Sequence, residues 1–244
     1  MMLLPTTPDA IRPPAAVGRA ARLLRAGEFL LLFGGIPLAL VFAARALRLA
    51  ETPVLAAALP LAAAITAAAA CFLWLWADPS FDRRQLGRGG AKRGDNRAML
   101  ALFAGAAMGI TSAMSIAAPQ WLFWLPRHQP MVWLAFLPAY PLISVLPQEL
   151  IYRSFFFHRY RPLFGDGRAM IVASAVAFGY MHIVFNNPMA VLLTLLGGAL
   201  FAWRYRHARS LLLATVEHAL YGILVFTVGL GPFFSNGTLR LVGG

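Results

Sequence analysis

The sequence predicts an all-α, polytopic helical membrane protein, with about seven transmembrane helices around an intramembrane polar site. Three observations carry this reading. Of the 244 residues 60% are hydrophobic and only 12% charged, with a mean hydropathy of +0.69, whereas a soluble domain holds roughly a quarter charged residues. Several apolar runs reach about 20 residues, enough to cross a hydrocarbon core of about 30 Å. Finally, of the nine acidic residues only Glu149 and Glu217 fall inside apolar runs. A charge in hydrocarbon costs about 2.5 kcal/mol or more and marks a pathway or an active site.

In chain order, residues 1–28 read as a basic cytoplasmic N-terminal segment with Pro5, Pro8, Pro13 and Pro14, then Arg19, Arg22 and Arg25. Val17 to Gly27 suits a short interfacial helix, and the basic lead is long for a cleaved signal peptide. Residues 29–244 read as a single transmembrane domain. The first span runs from Phe29 to Ala44. The second, alanine-rich, runs from Val54 to Trp76 and ends on interfacial tryptophans. Residues 77–97 form the one long polar interruption and read as a flexible loop. A third span covers Ala98 to Ala118, and Trp121, Phe123, Trp124 and Trp133 suit the opposite interface.

The fourth segment starts near Met131 and carries Pro138, Pro141 and Pro147, which predict kinks or breaks. Its last piece runs through Glu149 and Arg153 to Tyr160. The fifth span is Ala169 to Phe185, closed by Asn186-Asn187-Pro188. The sixth is Met189 to Trp203, followed by a basic turn from Arg204 to Arg209. The seventh runs from Ser210 to Leu230.

Charge orients these spans. Arg12, Arg19, Arg22 and Arg25, the six cations of residues 83–97, Arg159, Arg161 and Arg168, and Arg204, Arg206 and Arg209 fall on one side. Only Arg45, Arg48, Arg127 and Arg240 fall on the other. Cytoplasmic loops carry the excess of Lys and Arg, so the N-terminus is expected in the cytoplasm. The net charge of +12 fits anionic lipid head groups. Nucleic acid is not expected as a partner, because the arginines lie between apolar runs without base-stacking aromatics. The lone Cys71 excludes a disulfide framework.

Glu149 and Arg153 are spaced i, i+4 on a helix, carboxylate first, and can pair on one face. Such a pair either pins structure or tunes a site. At 1.5 Å per residue, His182 lies roughly 21 Å, His218 roughly 13 Å and Glu149 roughly 15 Å from the basic ends of their helices. Two histidines and a carboxylate at comparable depth, on three helices, are parts for activating a water. Two His and one Glu also match a catalytic zinc set. A divalent metal such as zinc held by Glu149, His182 and His218 therefore stands beside a metal-free reading. His128, His158 and His207 read as surface groups. Glu217 reads either as a second carboxylate for the site or as a partner for a neighbouring helix.

Glu149-x3-Arg153, then Phe178-x3-His182, then His218 on a later helix resembles the type II CAAX-prenyl-protease-like intramembrane endopeptidases. That family, the CAAX protease and bacteriocin-processing (CPBP) family, includes bacterial proteins. The resemblance covers about residues 130–226. It implies a bundle of membrane helices around a cavity open to the cytoplasm, in a bacterial inner membrane. The implied activity is hydrolysis of a peptide bond in a protein or peptide substrate at the membrane, with Glu149, Arg153, His182 and His218 as catalytic residues; prenylation of the substrate is not implied. Two positions depart from the family pattern. Gln148 stands where a leading glutamate, the usual base, is expected, and Gly222 stands where His-x3-Asn would place an asparagine. Three outcomes follow: Glu149 acts as base, Glu217 supplies the carboxylate, or the site binds a membrane peptide or partner without cleaving. A small transporter would also bury charges, but no paired half-helices recur in the two halves.

Overall fold

In the computed structural model residues 18–87, 90 and 92–234 are described; residues 1–17 of the expected N-terminal segment, Arg88 and Arg240 lie outside them. The described residues are helical throughout, with turns and no strand. Among the described residues six helices are long and apolar enough to cross a membrane: α1 (Arg19–Leu49), α2 (Pro53–Ala77), α3 (Arg93–Ala117), α4 (Pro130–Arg159), α5 (Arg168–Phe185) and α6 (Pro188–Ala208). The expected seventh, α7 (Leu211–Thr227), is apolar but has only 17 residues. The protein is an integral membrane protein, and its many exposed Leu, Ile, Val and Phe side chains are what a lipid-facing surface requires.

Helix α4 departs from expectation. Its three prolines do not break it. Instead the helix stays continuous and widens into two π-helical stretches, Tyr140–Val145 and Leu150–Phe155. Proline lacks an N–H and its ring crowds the carbonyl four residues back; in the first stretch, which holds Pro141 and the carbonyl of Ile143 four residues before Pro147, an i→i+5 turn relieves that crowding, and such turns recur at functional sites. The middle of α4 lies between α2 and α7, with α5 and α6 against its last turns.

Helices α5 and α6 make the closest pairing. A Cβ at Gly198 would lie 2.9 Å from Phe178 Cδ1 and 3.3 Å from the Cα of Ala175, and one at Gly179 would lie 3.1 Å from the Cα of Leu195. Small residues let two membrane helices approach in this way. Beyond α7, Gly229 at φ +101° turns the chain, and any Cβ there would meet the carbonyl oxygen of Trp121 at 2.1 Å.

The basic ends gather together. Arg159 and Tyr160 bind Glu28, Arg209 pairs with Asp166, and His158 Nε2 lies 2.9 Å from Asp78 Oδ2. Hydrogen bonds from Ser80 and from His158 hold the Asp78 carboxyl down to about 2. The polar interruption, expected to be flexible, is docked where it is described. Its 3₁₀ turn Arg83–Leu86 precedes Gly87, whose carbonyl accepts from Ser210 Oγ at 2.8 Å, while the N–H of Gly90 donates to Ala208 O at 2.8 Å. These unpaired backbone groups find partners at the α6–α7 junction, which is why the loop settles there.

Gly198→Leu should overpack the α5–α6 contact and cost about 1–3 kcal/mol of stability. Gly105→Leu, in open space on α3, should cost far less. Thermal unfolding of the two variants in the same detergent measures the difference.

Candidate active site

The centre of the molecule is an ion pair with no exposure to solvent. Glu149 and Arg153 are both 0% exposed, and Arg153 Nε donates to Glu149 Oε2 at 3.0 Å. A second donation, from Nη2 to Oε1 at 3.4 Å, makes the contact two-pronged. The rest of the guanidinium is also engaged: Nη1 donates to Ser174 Oγ on α5 at 2.6 Å, and Ser174 in turn donates to Tyr152 O at 2.8 Å. The ring of Phe178 covers the charge at 5.2 Å. A buried pair of this kind holds only when its remaining donors are satisfied.

Glu149 then reaches across to α7, where His218 Nδ1 lies 2.9 Å from its Oε1. With the carboxylate as acceptor, Nδ1 carries the proton and Nε2 is left as a base. Three aromatic rings hold the imidazole. Phe201 stacks on it at 4.6 Å and 14°, Phe178 meets it edge-on at 5.5 Å, and Tyr140 does so at 6.4 Å. His182 is set in the same sense. It ends the regular part of α5, and its Nδ1 donates to Phe178 O at 2.7 Å, so here too Nε2 is the free nitrogen. Both imidazoles lie against the ring of Phe178, at 4.8 Å and 5.5 Å between centroids.

His182, His218, Gln148 and Tyr140 line a cavity of about 1040 Å³ whose other walls are almost wholly apolar, with the alanines of α2 along one side. Glu149 does not line it; among the described residues no Asp, Glu, Lys or Arg does. Glu149, one of the two carboxylates expected as a base, is turned inward to Arg153 and His218. Gln148 occupies the cavity side, its amide donating to Ser144 O at 3.0 Å and Ser144 Oγ at 2.9 Å.

The metal set read from the sequence is not gathered. The oxygens of Glu149 accept from the Arg153 guanidinium and lie against Nδ1 of His218. Among the described residues no group of three or more His, Cys, Asp or Glu side chains is arranged to hold a metal ion.

Glu217 is also resolved. Arg204 donates from Nε and Nη2 to its two oxygens, each at 2.9 Å, with both side chains buried. Of the two roles left open for Glu217, the helix partner is the one seen. Arg204, expected in a basic turn, is a buried residue of α6. His207 is exposed, and His128 folds back on its own helix, its Nδ1 2.9 Å from Trp124 O. His158 is half-buried against Trp74 and Phe81 and bound to Asp78.

Sequence reasoning missed Ser174, Phe201 and Tyr140. A serine and two aromatics in apolar helices carry no signal until the helices are brought together.

Residues 130–224 match the family model of type II CAAX prenyl endopeptidases, Rce1-like. The match bears out, over these residues, the resemblance read from the sequence to a family of membrane peptidases. No curated protein and no solved structure matches the chain.

Removing one member of a buried pair strands the other, at about 3–5 kcal/mol. Arg204→Ala should therefore destabilise the protein strongly, and Arg204→Met with Glu217→Leu should recover most of that loss. Melting of the three proteins in detergent checks this, and equal melting of the single and double variants would contradict it.

Proposed function

We propose that this membrane protein is an intramembrane endopeptidase in which His218, oriented by Glu149, activates the water that hydrolyses a peptide bond. The single observation that carries the reading is the buried Arg153–Glu149–His218 chain, which leaves His218 Nε2 on the cavity side. A carboxylate on the far nitrogen fixes the tautomer and stabilises the imidazolium once it forms. Arg153 pairs with that carboxylate out of contact with solvent, and Ser174 and Phe178 keep Arg153 in place.

In the proposed reaction a peptide carbonyl lies in the cavity near His182 and His218. Water oxygen bonds to the carbonyl carbon as its proton passes to His218 Nε2, and the C=O π pair moves onto oxygen. Collapse of that oxyanion expels the amine, which takes the proton back from His218. His182, whose ring is oriented by the bond from Nδ1 to Phe178 O, and Gln148 position the water. The substrate would be a protein or peptide segment, apolar enough to enter the cavity, presented at the cytoplasmic face of a bacterial inner membrane. Anionic lipid would hold the basic ends. No step requires a metal ligand from Glu149.

One observation favours a second reading. With Gln148 on the cavity side and no carboxylate lining it, the same cavity would bind a membrane peptide without cutting it.

Comparison of protein termini separates the two. Membranes containing wild-type protein should show new termini that are missing without the protein. Their rate of appearance should fall roughly 10²–10⁴-fold in Glu149→Gln and His218→Gln at equal abundance. Identical termini in every membrane would refute cleavage and leave the binding role. Wild-type termini that persist in His218→Gln would keep the enzyme and remove His218 as its base.

A further inference from the structure

Tyr140 opens the first wide turn of α4, and its ring is held by Phe136 at 4.7 Å and Phe226 at 5.9 Å. Its hydroxyl group reaches the backbone of α7 at Gly222. A Cβ built on Gly222 would lie 2.1 Å from Tyr140 Oη, 2.4 Å from Cε1 and 2.5 Å from Cζ. No residue larger than glycine fits there while the phenol is present. The space that a side chain at 222, one turn beyond His218, would fill is filled by a side chain from α4 instead.

That phenol has the properties of an oxyanion donor. It lines the cavity together with His182 and His218, and it meets the His218 ring edge-on. No described residue hydrogen-bonds to its hydroxyl, although nearly every other polar side chain in this part of the molecule is engaged. A phenol is neutral at ordinary pH and donates one O–H. A donor fixed in a water-poor pocket before the reaction begins stabilises charge that develops there without reorganising. The two observations are independent: one is steric, at Gly222, and the other is a free donor beside a candidate base.

We propose that Tyr140 is a catalytic residue, donating its hydroxyl hydrogen bond to the oxyanion of the tetrahedral intermediate from the place where the amide of an asparagine at 222 would lie. The proposal rests on the endopeptidase reading above. No proton leaves Tyr140: the O–H···O⁻ bond forms as the carbonyl oxygen becomes negative and is lost when the intermediate collapses.

The test uses full-length protein in detergent and a synthetic peptide spanning the cleavage site defined by the wild-type termini. Tyr140→Phe keeps the ring and removes only the hydroxyl. It should lower kcat about 10²-fold or more, the usual loss of one oxyanion donor, with KM and the melting temperature unchanged. Tyr140→Ala empties the space, and adding Gly222→Asn to it should restore kcat at least about tenfold over Tyr140→Ala alone. Gly222→Asn without the alanine should lower the melting temperature, because amide and phenol cannot share the site. A Tyr140→Phe protein that cleaves at the wild-type rate overturns the proposal, as does a Tyr140→Ala loss that Gly222→Asn leaves unchanged in a folded protein. The absence of any wild-type cleavage overturns the endopeptidase reading and this proposal together, and so is distinguishable from a failure of Tyr140 alone.

Discussion

A guanidinium and a carboxylate held entirely out of water set the terms for the rest of this protein. Arg153 and Glu149 are accommodated there because their further hydrogen-bonding positions are met: by Ser174, by the Tyr152 carbonyl, by the face of Phe178 and by His218. Those partners come from α4, α5 and α7. The pair therefore fixes the mutual position of three helices while it fixes the tautomer of one histidine. Structure and chemistry share the same few atoms, which is the expected economy for charges in a membrane, where every unpaired group is costly.

The wide turns of α4 belong to the same arrangement. An ordinary α-helix would present Tyr140, Gln148, Glu149 and Arg153 on a 3.6-residue lattice. Widening at Tyr140–Val145 and again at Leu150–Phe155 shifts that lattice twice. Gln148 faces the cavity, its neighbour Glu149 is sealed behind it, and Tyr140 extends to the backbone of α7. Prolines that would weaken a soluble helix are accommodated because α2 and α7 pack on either side of the stretch.

Much of the architecture was legible in the residues themselves. Apolar runs of bilayer length located the spans, and Glu149, Arg153, His182 and His218 stood out as polar groups in apolar surroundings. What stayed hidden depended on side-chain direction and on contacts between distant segments. Depth along a helix could not tell that Glu149 turns away from the cavity while Gln148 turns toward it. Arg204 read as part of a basic turn because it stands among Arg206, His207 and Arg209, yet it points inward to Glu217. The docking of residues 78–87 on the α6–α7 junction was invisible because half of each contact is a backbone group or a common polar side chain such as Ser210 or Gln85, which carries no signal of its partner.

Glu217 and His218 are neighbours on α7 and are committed to different helices, the first to Arg204 of α6 and the second to Glu149 of α4. Consecutive residues project about 100° apart around a helix. The helix is thus tethered along two non-parallel directions at one level, and rolling about its long axis would strain the Arg204–Glu217 ion pair or the His218–Glu149 hydrogen bond. Rotation, the cheapest motion for a cylinder among cylinders in a bilayer, is removed for this helix. Any movement that admits or releases a molecule from the cavity has to be taken up by helices that bear no such tether.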